Sequence, residues 1–238
     1  MKNFSEIKTV SGSQLIDCEN IKKIKNADRM ADDVLHLMIL LDVSESMKNY
    51  IPLLRNMTEQ IYGCKNTDLC IIGICSDRIE IVKNFTGNAE IITDIEKNLL
   101  NIFFEHTGGN ISPLGVLLSV AGEKFRKRCG ADSEKKAIII CSDFLPNDYS
   151  KTDAFESPDE FVSAFTNFSR FITETNTNLY TIPFGEENPL HRKWLDILRG
   201  QEQNPEISSI KEIIDKSFVK NTPKVKIKKP SLADLLSR

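Results

Sequence analysis

The sequence predicts an α/β fold, with a doubly wound, mainly parallel sheet, one antiparallel edge strand and helices on both faces. First, strand-sized apolar runs alternate along the chain with segments of helical periodicity. Second, the runs are continuously apolar, which is typical of parallel strands covered on both sides. Third, a short turn at Ser76-Asp77 joins two of the runs and indicates an antiparallel hairpin.

The individual elements follow from these patterns. The predicted strands are 34–41, 69–75, 78–82, 137–143 and 179–185. The residues that mark predicted helices by their spacing are Met47, Ile51, Leu54 and Ile61; Ile91, Ile95, Leu99 and Ile102; Leu114, Leu117, Leu118, Ala121 and Phe125; Phe161, Phe165, Phe168 and Ile172; Leu190, Trp194 and Leu198; and the segment 207–218.

Two of these helices have recognisable starts. Ser112 is a favourable N-cap, and Pro113 suits the first helical position that follows it. Ser157, Pro158 and Glu160 have the spacing of a capping box. We therefore expect helices to begin directly after Ser112 and Ser157.

Composition sets limits on the class of protein. The 238 residues are 40% hydrophobic, with a formal net charge of -3, which suits one sizeable core and gives no global attraction to nucleic acid or anionic membrane. The longest apolar runs are strand-sized, and the first residues lack the apolar stretch of a secretory signal. Six cysteines without a CxxC pair favour buried free thiols over disulfides. We expect a cytoplasmic protein whose partner is neither a membrane nor a nucleic acid.

The chain divides into three predicted parts. Residues 1–32 are polar and mixed and form an N-terminal extension, and residues 33–218 form the α/β domain. Residues 219–238 are predicted to be a basic, flexible tail, in which SLADLLSR has the composition of a short capped helix.

Oxygen-bearing side chains follow the first predicted strand. Asp42, Ser44 and Ser46 occupy alternate positions there, and Asp143 ends the strand 137–143. Open α/β sheets place binding sites outside the carboxyl ends of their strands. Carboxylates and hydroxyls are hard ligands, so this grouping suits a cation such as Mg²⁺. The alternative is that these residues are ordinary turn and cap residues.

At these residues the chain resembles the von Willebrand factor A (vWA) family. The first motif of its metal-ion-dependent adhesion site, Asp-x-Ser-x-Ser, is matched by Asp42, Ser44 and Ser46, and its final aspartate by Asp143. The family's middle motif places a threonine ahead of a helix. Aligning NISPLGVLL with that motif puts Ser112 at the threonine position, whereas aligning the preceding two glycines leaves Thr107 as the alternative.

The resemblance implies metal-dependent protein binding, usually without catalysis. The implied cofactor is Mg²⁺, or Mn²⁺ or Ca²⁺ in its place, and the implied ligand is an Asp or Glu of a protein partner. Intracellular bacterial relatives include tellurium-resistance-type proteins and partners of ATPases, kinases or phosphatases, and the abundant Lys, Ile and Asn favour a bacterial source. Glu45 stands at a position where the family often has glycine. The family's final strand is not evident in this sequence.

The rival hypothesis is a Mg²⁺-dependent phosphatase or nuclease of Rossmann-like form. A haloacid-dehalogenase-type phosphatase would need a second Asp where Ser44 stands. A two-metal nuclease would need several clustered carboxylates, of which Asp42, Glu45 and Asp143 supply only part. We therefore expect an adaptor or scaffold in a multiprotein system rather than an enzyme.

Overall fold

The computed structural model of the protein describes residues 34–86, 92–106, 108–129, 135–151, 153–205 and 209–218. The predicted N-terminal extension, the basic tail and Thr107 lie outside these residues. The described elements, in chain order, are β1 (Leu35–Asp42), a 3₁₀ helix (Glu45–Tyr50), α1 (Ile51–Glu59), a second 3₁₀ helix (Gln60–Gly63), β2 (Thr67–Cys75), β3 (Arg78–Lys83), α2 (Asp94–Glu105), α3 (Leu114–Arg128), β4 (Lys135–Ser142), α4 (Asp148–Lys151), α5 (Pro158–Glu174), β5 (Asn178–Pro183), α6 (Pro189–Leu198), β6 (Gln201–Glu202) and α7 (Ile210–Ser217).

The sheet has the strand order β3-β2-β1-β4-β5-β6. Strand β3 runs antiparallel to β2, and the other strand pairs are parallel. Every residue of β1 and of β2 is buried, because helices cover both sides of these strands. This arrangement confirms the predicted fold class and the hairpin at the edge. It also makes the gap between β1 and β4 the topological switch point of the sheet.

Helices pack on both faces of the sheet and create two core clusters. Leu37, Ile39 and Leu41 of β1 belong to one cluster, with apolar residues of α1, α2 and α7. Met38 and Leu40 belong to the other cluster, with apolar residues of α3, α5 and α6. The alternation along β1 follows from the two-residue period of a strand.

Strand β6 is not among the strands predicted from the sequence. This strand has two residues, Gln201 and Glu202, which are exposed and pair in parallel with Tyr180 and Thr181 of β5. Backbone hydrogen bonds alone define it, so no apolar run marks it in the sequence. It lies between α6 and α7 rather than after the last helix.

The apolar residues that predict α2 from the sequence are not the ones that the helix buries. Ile95, Leu99 and Ile102 are 73%, 47% and 48% exposed, whereas the buried residues are Leu100, Phe103 and Phe104. Both sets have helical spacing, and the set with two aromatic rings buries the larger apolar area. Gly73 in β2 makes this possible, because a Cβ atom there would overlap the Phe103 ring.

The predicted start of α3 is wrong by one position. The helix begins at Leu114, with Pro113 as its N-cap residue, so the Ser112 side chain does not cap it. The carboxylate of Asp148, the first residue of α4, instead accepts a hydrogen bond from the Val116 amide at 3.1 Å. The predicted cap of α5 is confirmed, since the Ser157 side chain accepts from the Glu160 amide.

Two further observations concern the cysteines and the length of the helices. The five cysteines within the described residues are free, and four of them are buried. No helix in the described part of the chain has the length and hydrophobicity needed to cross a membrane.

The observed buried face of α2 predicts a large difference between two neighbouring leucines. Leu100→Ala should lower the free energy of unfolding by about 2–5 kcal/mol, because it leaves a cavity in the core. Leu99→Ala, on the exposed face, should change it by about 0.5 kcal/mol or less. Urea denaturation of both variants measures the difference, and equal losses would contradict the observed helix orientation.

The Asp148 carboxylate at the start of α3 predicts that the stability of the protein depends on pH. Burial raises the pKa of Asp148 from its ordinary 3.8 to about 6. Between these values the folded state binds more protons than the unfolded state, so this group makes stability fall as pH rises. Asp148→Asn removes that contribution, so its stability relative to wild type should increase from pH 4 to pH 6 and then level off. Unfolding curves over pH 4–8 test this, and a constant difference between the two proteins would refute it.

Candidate metal centre

The predicted ligands meet at the carboxyl ends of β1 and β4, beside the switch point. Asp42 is the last residue of β1, and Asp143 directly follows β4. Ser44 directly precedes the first 3₁₀ helix, Ser46 is the second residue of that helix, and Ser112 lies two residues before α3. Parallel strands bring these sequence-distant loops to one edge of the sheet.

Asp42 is the centre of the hydrogen-bond network. Its carboxylate is buried, and Oδ1 accepts from the Ser44 backbone amide at 2.9 Å. Oδ2 accepts from the Ser112 hydroxyl at 3.0 Å and from the Ser142 hydroxyl at 2.9 Å. The Ser112 side chain therefore contacts Asp42, while Thr107, the alternative middle residue, lies outside the described residues.

Two carboxylates share this buried environment. Burial raises the pKa of Asp42, and the neighbouring Asp143 carboxylate raises it further, against the opposing hydrogen bonds from Ser44 and Ser142. Like charges in a buried site favour protonation of one of them or the presence of a cation. A divalent cation bound here would therefore stabilise the charged form of Asp42.

Asp143 provides the test of fit for such a cation. Its Oδ1 accepts from the Leu145 amide at 3.0 Å. Its Oδ2 is buried and has no hydrogen-bond partner among the described residues. A buried carboxylate oxygen without a partner is costly, and coordination to a metal ion is one of the ways such an oxygen is satisfied. The donor set therefore fits a hard divalent cation.

The two motif serines extend the oxygen-rich surface toward solvent. The Ser44 and Ser46 hydroxyls are 3.2 Å apart, with Ser44 buried and Ser46 exposed. Among the described residues, no group of three or more His, Cys, Asp or Glu side chains is placed to hold a metal ion. The candidate centre is accordingly rich in hydroxyls and poor in carboxylates, and it is accessible from outside at Ser46.

A glycine-containing loop borders the site. Gly108 and Gly109 both have positive φ angles, and a Cβ atom at Gly109 would overlap Asp77. The Asp77 carboxylate accepts from the Ile111 amide at 2.7 Å, and the Glu45 amide donates to the Gly109 carbonyl at 3.2 Å. These bonds hold the glycine-containing loop between the β2–β3 turn and the start of the first 3₁₀ helix.

Glu45 adds an exposed carboxylate next to the candidate ligands. Its side chain is half-exposed and forms a 3.4 Å ion pair with the equally exposed Lys48. An exposed pair of this kind contributes little to stability. Glu45 is therefore available at the surface beside Ser44 and Ser46.

Sequence reasoning missed three residues that support the site: Ser142, Asp77 and Asn147. Ser142 lies in a predicted apolar strand and Asp77 in a predicted turn, and no sequence pattern distinguishes Asn147 within its loop. A hydroxyl at a buried strand position, directly before a motif aspartate, was the available sign for Ser142. The partners of Asp77 and Asn147 are backbone groups of a distant loop, which leave no pattern in the sequence.

No protein-family model matches this chain, and no curated protein does. Its structure is similar to a von Willebrand factor type A protein from Catenulispora acidiphila, with TM-score 0.54 and 18% identity over 78% of this chain and 43% of that one. It is also similar to proximal thread matrix protein 1 of the mussel byssus, with TM-score 0.51 and 14% identity over 79% of this chain and 47% of that one.

A third similar structure is the manganese-loaded TRAP protein of Plasmodium vivax, with TM-score 0.50 and 15% identity over 80% of this chain and 73% of that one. The chain spans less than half the length of the first two proteins. At these identities the comparisons concern the fold. Together with the six-stranded sheet, they show that this chain has the fold of a von Willebrand factor A domain.

Proposed function

We propose that this protein is a metal-dependent binding module in which Asp42, Ser44, Ser46, Ser112 and Asp143 hold Mg²⁺, or Mn²⁺ or Ca²⁺ in its place. The observation that supports this most directly is the buried Asp143 Oδ2, which has no hydrogen-bond partner among the described residues. It belongs to a carboxylate close enough to Asp42 to raise the pKa of that residue. A cation would satisfy the oxygen and offset the repulsion together.

The chemistry of the donors indicates what such a site would capture. Two carboxylates would neutralise the charge of a divalent cation only if both contacted it directly. Neutral hydroxyl ligands would leave the cation with positive charge that attracts a further anion. A bound cation would supply an electrophilic centre for a carboxylate oxygen. The exposed Ser46 lies where a partner's Asp or Glu can approach. The proposed ligand is therefore an acidic side chain of a protein.

One comparison adds support for the metal. The TRAP protein, which shares the fold, was solved loaded with manganese. Mn²⁺ and Mg²⁺ favour the same hard oxygen ligands. We propose the same class of ion here, in a cytoplasmic adaptor whose partner belongs to a multiprotein system such as one built on an ATPase, kinase or phosphatase.

The proposal assigns the site to binding rather than hydrolysis. Ser44 stands where a phosphatase of the haloacid-dehalogenase type needs its second aspartate, and its hydroxyl contacts Ser46. A neutral hydroxyl is a poor general acid or base near pH 7. Phosphate-ester or nucleic-acid hydrolysis that disappears in Asp42→Ala would instead support the enzyme alternative.

The first test is metal binding by the protein alone. Mg²⁺ or Mn²⁺ at about 100 times its Kd should stabilise wild type by about 2.7 kcal/mol, because the ion binds the folded state selectively. Asp42→Ala should abolish this gain in a thermal-shift titration. Asp94→Ala is the control, since that carboxylate is 94% exposed at the start of α2. A gain that survives in Asp42→Ala would exclude this site.

The second test is partner capture. Wild type should recover a binding partner in a pull-down with Mg²⁺, and both a chelator and Asp42→Ala should reduce the recovery by at least about tenfold, as expected when a charged contact is lost. The captured protein is then titrated in purified form with its Asp and Glu residues substituted. Equal recovery under all conditions would reject the metal-bridged mechanism.

A further inference from the structure

We propose that Asn147 is a positioning residue that presets Ser112 for the metal. This inference rests on the proposed function, because it concerns the same site. It extends that function by assigning metal affinity to a side chain outside the predicted ligand set. It also explains how a loop without regular structure presents one hydroxyl accurately.

Three hydrogen bonds connect Asn147 to the Ser112 loop. Its side-chain Oδ1 accepts from the Ser112 amide at 2.8 Å, and its Nδ2 donates to the Asn110 carbonyl at 2.9 Å. Its own backbone amide donates to the Ser112 carbonyl at 3.3 Å. Both backbone polar groups of Ser112 are thus bonded to one residue.

The chemistry of the side chain explains why asparagine suits this place. Ser112 precedes α3 and belongs to no strand, so neither a sheet ladder nor the helix supplies a partner for its amide. A carboxamide both donates and accepts, whereas a carboxylate only accepts and a hydroxyl is shorter. Asn147 can therefore bond an amide and a carbonyl of the facing loop at once.

The contact acts on Ser112 and not on the other candidate ligands. The Ser112 side chain is buried and its hydroxyl reaches Asp42 Oδ2 at 3.0 Å. Asp143 is held separately by the Leu145 amide, and Ser46 lies in the first 3₁₀ helix. Loss of Asn147 should then free the backbone of one ligand while leaving the others in place.

The test is a double-mutant cycle with Mn²⁺ alone as the probe, measured by calorimetry. Asn147→Ala should weaken Mn²⁺ binding about 10- to 100-fold, the range seen when residues that orient metal ligands are removed. In a Ser112→Ala background the same change should have an effect within about twofold, because its target is already gone. In a Ser46→Ala background it should keep its full effect.

Thr93→Ala is the matched control for a general loss of stability. It removes the capping box of α2, whose first turn contacts β3 through the Glu96–Lys83 ion pair and contains no candidate ligand. Its unfolding midpoint should fall while its Mn²⁺ affinity stays at the wild-type value. If Asn147→Ala lowers affinity equally in all three backgrounds, or only in proportion to stability, the positioning role is refuted.

A measurement on wild type keeps the inference testable even if Asn147→Ala does not fold. In the metal-free protein the Ser112 amide, bonded to Asn147, should exchange with solvent at least about tenfold more slowly than an unbonded loop amide. Rapid exchange would overturn the inference while leaving metal binding intact. Failure of wild type to bind Mn²⁺ at all would overturn the proposed function and this inference together.

Discussion

The buried carboxylate of Asp42 is the constraint on which the arrangement of this edge of the sheet depends. A charge with almost no solvent access needs hydrogen bonds from several directions. The donors come from three separate segments: the Ser44 amide, the Ser112 hydroxyl and the Ser142 hydroxyl. Because the three segments are far apart in the chain, satisfying one carboxylate ties the loops after β1 and before α3 to the end of β4. The nearby Asp143 opposes this arrangement, so the site balances hydrogen bonding against repulsion.

The fold was predictable because its main determinants are local and strong. Uninterrupted apolar runs predicted the central parallel strands, and the turn at Ser76-Asp77 predicted the edge hairpin. The errors occurred where two local patterns competed or where no side chain was involved. Helix α2 carries two apolar stripes. It buries the stripe that contains Phe103, because Gly73 leaves space for that ring. Strand β6 consists of two exposed polar residues paired through their backbones.

The candidate site divides in the same way. Asp42, Ser44 and Ser46 lie close together in the sequence, so their spacing and the preceding strand suggest them as candidate ligands. Ser112 was expected at a helix cap and instead bonds to Asp42, while the carboxylate of Asp148 in α4 accepts from an amide in the first turn of α3. Asn147 was beyond reach of sequence reasoning, since its role exists only when two loops face each other. Local chemistry predicted which side chains are candidate ligands, and tertiary contacts determine how they are held.

The supporting contacts and the proposed binding chemistry impose opposite demands on the site. Neutral hydroxyl ligands would leave a cation attractive to a partner's carboxylate, yet they bind more weakly than carboxylates and so depend on preset geometry. The loop bonds from Asp77 and Asn147 would supply that geometry before any ion arrives. The stabilisation from these hydrogen bonds would offset the repulsion between the carboxylates of Asp42 and Asp143. A site that replaced a hydroxyl with a third carboxylate would hold metal more firmly and would, by the same charge balance, attract an acidic partner less.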